Sequence, residues 1–131
     1  MSKIYYHKSL APDELIGRIN FQTGKIYLTR FGPDKIVGRV NLENGKVYRT
    51  QLGLDEYLGQ INLNTGKVYA HHLGPDEYVG RVEQDGKLYR HVPLGVDEYL
   101  GKVTEMQTLA EGGAAILLVL FPPKDDTAAS E

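Results

Sequence analysis

The sequence predicts a mainly β protein in which short hairpins repeat every 21 residues or so and pack side by side around one axis. Two residue types mark the repeat at a constant spacing of 21 residues. They are Gly17, Gly38, Gly59, Gly80 and Gly101, and Asp13, Asp34, Asp55, Asp76 and Asp97. Internal repetition of this length indicates a repeat architecture, and it assigns these residues structural roles.

Each repeat contains two strands and two turns. In the first copy, residues 15–20 and 25–29 are rich in β-branched and aromatic residues, and a glycine-containing turn separates them, which is typical of a hairpin. The closing glycine is expected to adopt a positive φ in a three- or four-residue loop. The equivalent glycines are Gly24, Gly45, Gly66 and Gly86. The second turn carries Pro-Asp or a relative, and its Asp is expected to bond its own downstream backbone.

Strand alternation predicts which side chains face the core. Positions 15, 17 and 19 share one face, and across the copies they are Leu, Ile or Tyr, then Gly, then Ile or Val. This face is expected to be the core, and positions 16, 18 and 20 are expected to face outward. The central glycine indicates either a close approach of a large group or another backbone near a shared axis, or a bend or bulge.

The ends of the repeat region complement each other. Residues 3–8 form an isolated second half-unit and residues 99–105 an isolated first half-unit. Their pairing would close a ring and remove the sheet edges. An open array of hairpins is the alternative, and a ring of either four or five hairpins fits the sequence.

The periodicity stops after Val103, which divides the chain into a repeat domain (1–103), an apolar helical segment (104–123) and a disordered tail (124–131). Thr108 and Glu111 have capping-box spacing before an apolar run from Ala114 to Phe121. A run that is apolar on all sides must be buried, either inside the ring or against a partner. Its alanines and cap favour a short helix, although Gly112 and Gly113 do not.

Composition limits the functional classes. The 131-residue chain has a net charge of −2 and no cysteine, which argues against nucleic-acid or anionic-membrane attraction and rules out disulfides and thiolate metal sites. Its longest apolar run is too short to span a membrane. The N-terminus lacks the pattern of a secretory signal, and we therefore expect a bacterial, cytoplasmic protein.

These features together resemble a known family. The repeated Gly-Arg-(Ile/Val)-Asn and Gly-Lys-(Ile/Val)-Tyr sequences, followed by a Gly-, Ala- and Leu-rich run, are similar to the bacterial four-fold β-flower domains. The resemblance extends from Lys3 to Leu120. It implies radially arranged hairpins with a C-terminal helix, and it implies no established activity or site residues. The chain departs from a four-fold pattern because it contains five copies of one half-unit.

Three sets of repeated side chains are candidates for chemistry. His7, His71 and His91 share one repeat position, which Thr29 and Thr50 occupy elsewhere, so three imidazoles in a ring could bind a metal at the axis. A solvated position is the preferred interpretation. Tyr and Arg residues on neighbouring strands could form a nucleic-acid stacking surface, but cross-strand packing is preferred.

The third set is the repeated Asp-Glu pairs, such as Asp76-Glu77, which resemble paired catalytic carboxylates. Because one pair recurs in each turn, turn chemistry explains them better, and no cofactor or phosphate-loop motif is present in the sequence. The sequence therefore favours a non-enzymatic structural, binding or assembly module, with homo-oligomerisation through Ala114 to Phe121. A ligand-binding or catalytic ring with an axial site is the alternative, and nucleic-acid binding is a weaker one.

Overall fold

The computed structural model is a closed barrel of ten antiparallel strands around a buried C-terminal helix, and it describes residues 1–29 and 32–120. The strands are β1 (Ser2–Tyr6), β2 (Glu14–Ile19), β3 (Lys25–Leu28), β4 (Lys35–Val40), β5 (Lys46–Arg49), β6 (Glu56–Ile61), β7 (Lys67–Ala70), β8 (Glu77–Val82), β9 (Lys87–Arg90) and β10 (Glu98–Thr104). Helix α1 (Leu109–Ala115) continues into a short π-helix (Ile116–Leu120). The predicted fold class is confirmed.

Ring closure occurs as the complementary ends of the repeat region predict. Strand β1 pairs with β10, with Ile4 opposite Val103, and the same strand pairs with β2 on its other side. The barrel therefore contains five hairpin units: β2–β3, β4–β5, β6–β7 and β8–β9 are units 1 to 4, and β10–β1 is unit 5. The open count of four or five is thus resolved as five.

The hairpin turns follow the predicted chemistry. Gly24, Gly45, Gly66 and Gly86 have φ between 80° and 96°. In unit 1, the Asn20 side chain accepts hydrogen bonds from the backbone N–H groups of Gln22 and Thr23 at 2.9 and 3.2 Å. Unit 4 has Glu83 in place of this Asn, and its loop is one residue shorter. These turns mark one end of the barrel, the hairpin end, and the connections between units mark the opposite loop end.

The prediction for the inward-facing side chains is only partly correct. Position 19 is buried in every unit, as Ile61 is in unit 3, but position 15 is not in the core. A β-bulge interrupts each pairing between units: Val47 lies opposite Gly59 and Tyr48 opposite Tyr57, so Leu58 has no partner. The extra residue reverses the alternation. Leu58 is therefore 6% exposed and in the core, whereas Tyr57 faces the outside.

Both predicted explanations apply to the central glycines. Each glycine lies next to a β-bulge, and a neighbouring strand or a helix side chain comes close to it. A Cβ atom at Gly59 would lie 2.1 Å from the carbonyl oxygen of Tyr69 and 3.1 Å from Leu117 Cδ1. In unit 2, a Cβ at Gly38 would lie 2.7 Å from Leu118 Cδ1. The wall therefore has no room for side chains at these positions.

The apolar run lies in the middle of the ring, which was one of its two predicted locations. Residues Ala114 to Leu118 are buried inside the barrel, and the run enters from the hairpin end and extends toward the loop end. The glycines that count against a helix permit it to fit, since a Cβ at Gly112 would lie 2.4 Å from Val82 Cγ1. Phe121 and the predicted tail at 124–131 lie outside the described residues.

The predicted capping box at the start of α1 is confirmed, and it also joins the helix to the first strand. The Glu111 carboxyl group is fully buried and accepts hydrogen bonds from the backbone N–H groups of Gln107 and Thr108 at 2.9 and 2.8 Å. Its other oxygen accepts a hydrogen bond from the Ser2 hydroxyl. One side chain therefore connects β1, the loop after β10 and α1.

We expect Gly80→Ala to lower the free energy of unfolding by roughly 2 kcal/mol, because the added Cβ would lie 2.4 Å from the Tyr89 carbonyl oxygen. Gly95→Ala is the control: Gly95 is exposed and its φ is not positive. Urea unfolding of both variants tests this, and equal stability of the two would contradict the close approach.

We expect Glu111→Ala to destabilise the protein by about 3 kcal/mol, because it leaves buried donors without an acceptor. Glu111→Gln should cost less than about 1.5 kcal/mol, since its amide oxygen can accept from the two backbone N–H groups and its amide nitrogen can donate to Ser2. Thermal and urea unfolding compare the two. If Gln is as damaging as Ala, the negative charge, rather than the hydrogen bonds, stabilises this end of the barrel.

Candidate functional site

The three candidate histidines lie on the outer wall, near the loop end, and not at a common axis. His7, His71 and His91 each follow the second strand of a unit, and α1 and the π-helix occupy the axis. Each imidazole Nδ1 lies 3.2–3.4 Å from a carboxylate, those of Asp13, Asp76 and Asp97 respectively. The three imidazoles therefore cannot form the hypothesised metal site at the axis of the barrel.

Each of these histidines also packs against a tyrosine in the first strand of its own unit. The ring centroids are 4.9 Å apart for His7 and Tyr99, 5.0 Å for His71 and Tyr57, and 4.4 Å for His91 and Tyr78. The two remaining units have an aliphatic residue at the tyrosine position, Leu15 or Ile36, and there the histidine position is Thr29 or Thr50. The histidine position and the tyrosine position thus change together from unit to unit. This joint change indicates that the two side chains pack together, and it could have been recognised in the sequence.

A second tyrosine completes each cluster. The centroids of Tyr48 and Tyr57 are 5.6 Å apart, and the equivalent pairs in the next two clusters are 5.7 and 5.5 Å apart. Burial, followed by a nearby aspartate, raises the pKa of Tyr57, Tyr78 and Tyr99 above the ordinary value for tyrosine. These phenols therefore remain protonated hydrogen-bond donors at neutral pH. Beside the last cluster, a cleft of about 390 Å³ is lined by His7, Asp13, Lys87, Tyr89 and Tyr99.

The turn aspartates connect consecutive units. Within residues 1–29 and 32–120 they form no hydrogen bond to their own downstream backbone, contrary to the prediction. Asp34 accepts from Arg18 at 2.9 Å, and Asp55 accepts from Arg39 at 2.9 Å. Asp97 accepts from Arg81 at 3.0 Å and from the backbone N–H of Val92. The hydrogen bond from Arg81 is the largest influence that lowers the pKa of Asp97. Each of the five repeated aspartates therefore belongs to a contact between consecutive units.

The arginines of the first strands pack against tyrosines within their own hairpins. The guanidinium carbon of Arg39 lies 4.2 Å from the ring centroid of Tyr48, and that of Arg81 lies 4.0 Å from Tyr89. This is the cross-strand arrangement that the sequence favoured over a nucleic-acid surface. These guanidinium groups already have an aromatic partner and a carboxylate partner.

The loop end carries the largest exposed apolar side chains of the described residues. We call the following set the apolar ring: Leu10, Leu52, Leu54, Leu73, Leu94 and Val96, which are 87–108% exposed. Four of its leucines occupy one repeat position, Leu10, Leu52, Leu73 and Leu94. Phe31 has the equivalent place in the sequence and lies outside the described residues. The sequence analysis did not identify this ring, because it treated the connecting loops only as turns.

Two features are absent from residues 1–29 and 32–120. No three side chains among His, Asp and Glu come together there as a metal would require. Neither helix in this part of the chain is long and apolar enough to cross a bilayer. The bacterial and cytoplasmic assignments stay predictions.

Comparison with known protein families, characterised proteins and solved structures finds no match to this chain. The resemblance to the β-flower domains stays a prediction.

We expect Asp97→Asn to lower stability at pH 7 and to have a smaller effect near pH 3. The folded-state pKa of Asp97 is lowered, so its stabilising contribution is fully present above the unfolded-state value of 3.8 and declines as the pH falls through the lower folded-state pKa. Urea midpoints at the two pH values test this, with exposed Glu43→Gln as the control. A difference of the same size at pH 3 would contradict the linkage.

Proposed function

We propose that the protein is a non-enzymatic assembly module that pairs with a second copy of itself through the apolar ring. The observation that carries the proposal is the near-complete exposure of six large aliphatic side chains at one end of the barrel. A single exposed leucine is ordinary on a protein surface, but several large apolar side chains exposed at one end of a molecule mark an interaction surface. Here the closed, repeated architecture places the six in loops around one axis.

The apolar character of the ring is retained while other surface positions of the unit vary. The histidine position changes to threonine and the outer tyrosine position to leucine or isoleucine. The equivalent loop position is a large apolar residue in all five copies. Packing inside the chain does not explain this, because Leu52 and Leu94 are 105% and 108% exposed.

The area available is sufficient for a weak dimer. Full burial of a Leu or Val side chain removes roughly 60–120 Å² of apolar surface from water, on the usual proportionality between area and free energy. Six such side chains on each of two copies give roughly 700–1,400 Å², which approaches the ~1,200 Å² of the smaller stable interfaces. A dissociation constant in the micromolar range is the expected result.

The charges near the ring favour a protein partner over a lipid surface. Lys8 pairs with Glu14 at 3.1 Å, and Arg90 pairs with Glu98 at 3.5 Å. Arg49 likewise pairs with Glu56. An apolar centre with a polar rim is the usual anatomy of a protein interface, whereas an anionic membrane surface attracts clusters of basic residues.

The geometry also suits two identical partners. A ring around one axis can meet its own copy across a perpendicular two-fold axis, and both copies then contribute the same surface. The C-terminal run is a poor alternative interface, since Ala114 to Leu118 are buried inside the barrel. Homo-oligomerisation through Ala114 to Leu118 would require the barrel to open.

Sedimentation velocity of the full chain at about 1–100 µM tests the proposal. We expect the mass of a dimer at the upper concentrations for the unmodified protein. The variant Leu10→Ser, Leu52→Ser, Leu73→Ser and Leu94→Ser should be a folded monomer throughout, because each substitution removes an exposed apolar side chain and none removes a core contact.

The matched control carries four serine substitutions at the opposite end of the barrel, at the exposed hairpin-turn residues Gln22, Glu43, Asn64 and Gln84. It should dimerise as the unmodified protein does. A monomer at about 100 µM for the unmodified protein would refute self-assembly. In that case, sedimentation with phosphatidylcholine vesicles shows whether the apolar ring binds a membrane. Binding to vesicles should then be lost in the serine variant, whereas no binding would mean that the ring binds neither a second copy nor a bilayer.

A further inference from the structure

A repeated arrangement of cation, tyrosine and aspartate runs around the outer wall of the barrel. In unit 2, Arg39 lies over Tyr48 and donates to Asp55; in unit 4, Arg81 lies over Tyr89 and donates to Asp97. Unit 1 has the same Arg–Asp bond, from Arg18 to Asp34. Unit 5 has a lysine, Lys102, which lies 5.8 Å from the Tyr5 ring and 4.0 Å from Asp13.

Unit 3 keeps the tyrosine and the aspartate but lacks the cation. Gln60 occupies the arginine position and pairs in register with Tyr69, as Arg81 pairs with Tyr89. Its side-chain amide donates to the backbone carbonyl oxygen of Asn44 at 2.9 Å, so it is held toward the preceding hairpin turn. Among the described residues, Asp76 forms an ion pair with His71, at 3.4 Å, and with no lysine or arginine.

A cleft lies beside this incomplete arrangement. Its volume is about 310 Å³, and it is lined by Tyr69 and Gln60 together with Glu43, Asn44, Asn62 and Leu63. This volume is at the lower limit of small-ligand sites. The lining provides the Tyr69 ring, the Glu43 carboxylate and several amide groups, which together suit a cationic hydrogen-bond donor. Asp76 lies outside this lining, so Glu43 is the carboxylate of the cleft.

We propose that unit 3 binds a guanidinium group from outside the chain, in the position that Arg39 and Arg81 occupy in their own units. A planar guanidinium stacks on an aromatic face and donates to a carboxylate at the same time. The internal guanidinium groups lie 4.0–4.2 Å from their tyrosine rings, whereas the lysine of unit 5 lies farther away. The site therefore selects guanidinium over ammonium.

The neighbouring lysine does not fill the position. Lys46 pairs in register with Gln60, and Lys67 pairs in register with Arg81. Because Arg81 stacks on its tyrosine with Lys67 opposite it, a lysine at this place is compatible with a bound guanidinium. The cleft borders the hairpin turns, so this binding is independent of the apolar ring at the loop end.

Titration of the ¹⁵N-labelled full chain with agmatine, followed by NMR, tests the site. We expect saturable shifts at Tyr69, Gln60 and Asn44, with a dissociation constant on the order of 1–10 mM. The urea analogue of agmatine keeps the ammonium group but has a neutral urea in place of the guanidinium, and it should cause shifts at least about tenfold smaller at equal concentration. The same titration with an acetylated Gly-Arg-Gly amide identifies the preferred source of the guanidinium. Tighter binding of the peptide indicates an arginine side chain of a protein, and tighter binding of agmatine indicates a free metabolite.

Two substitutions make the test specific. Gln60→Arg supplies the missing guanidinium from the chain itself and should abolish the shifts at Tyr69, while the protein remains folded. Arg39→Gln should create a second site, with new agmatine shifts at Tyr48. Absence of shifts at Tyr69, equal shifts with the urea analogue, or retention of binding in Gln60→Arg would each overturn the proposal.

Discussion

The contact between the apolar helix and the glycines of the barrel wall is the constraint on which the rest of the structure depends. Ten short strands can close around an axis only if something fills the space inside, because an empty apolar lumen would lose its packing contacts. The helix provides that filling, and Gly59 and its equivalents permit the approach. The helix has its own glycines facing the wall. Gly112 packs against Val82 and Gly113 against Ile61, where a side chain on the helix would not fit.

This filling determines where function can lie. A barrel whose axis contains a buried helix has no lumen for a ligand, so the axial site considered from the sequence has no space. The surface remains, and there the five units differ. Units 3 to 5 contain the Tyr–His pairs, and unit 3 lacks a cation. Each connection at the loop end that the structure describes in full exposes a leucine. The two proposals therefore rest on two such places. One is unit 3, which lacks the cation that the other units place beside a tyrosine and an aspartate. The other is the apolar ring, whose side chains have no packing partner within the barrel.

The features that the sequence predicted correctly depend on local chemistry. The positive φ at Gly24, the capping-box carboxyl of Glu111 and the pairing of the two half-units all follow from short motifs and their spacing. The outward position of Tyr57 could not be predicted in the same way, because one bulged residue at Leu58 reverses the alternation of the strand. The partners of the aspartates were also missed, since Arg39 and Asp55 are 16 residues apart and meet only across two units.

The short π-helix follows from a mismatch between the helix and its surroundings. Five units divide the circle into steps of about 72°, whereas an α-helix advances by about 100° per residue. Ile116, Leu117 and Leu118 are consecutive, yet they contact the glycines of three consecutive units, Gly80, Gly59 and Gly38. A π-helix is wider and turns less per residue, because its hydrogen bonds run from residue i to i+5. The change from α1 to the π-helix at Ile116 thus brings each apolar side chain to a successive glycine, so the five-part wall imposes its spacing on the chain that fills it.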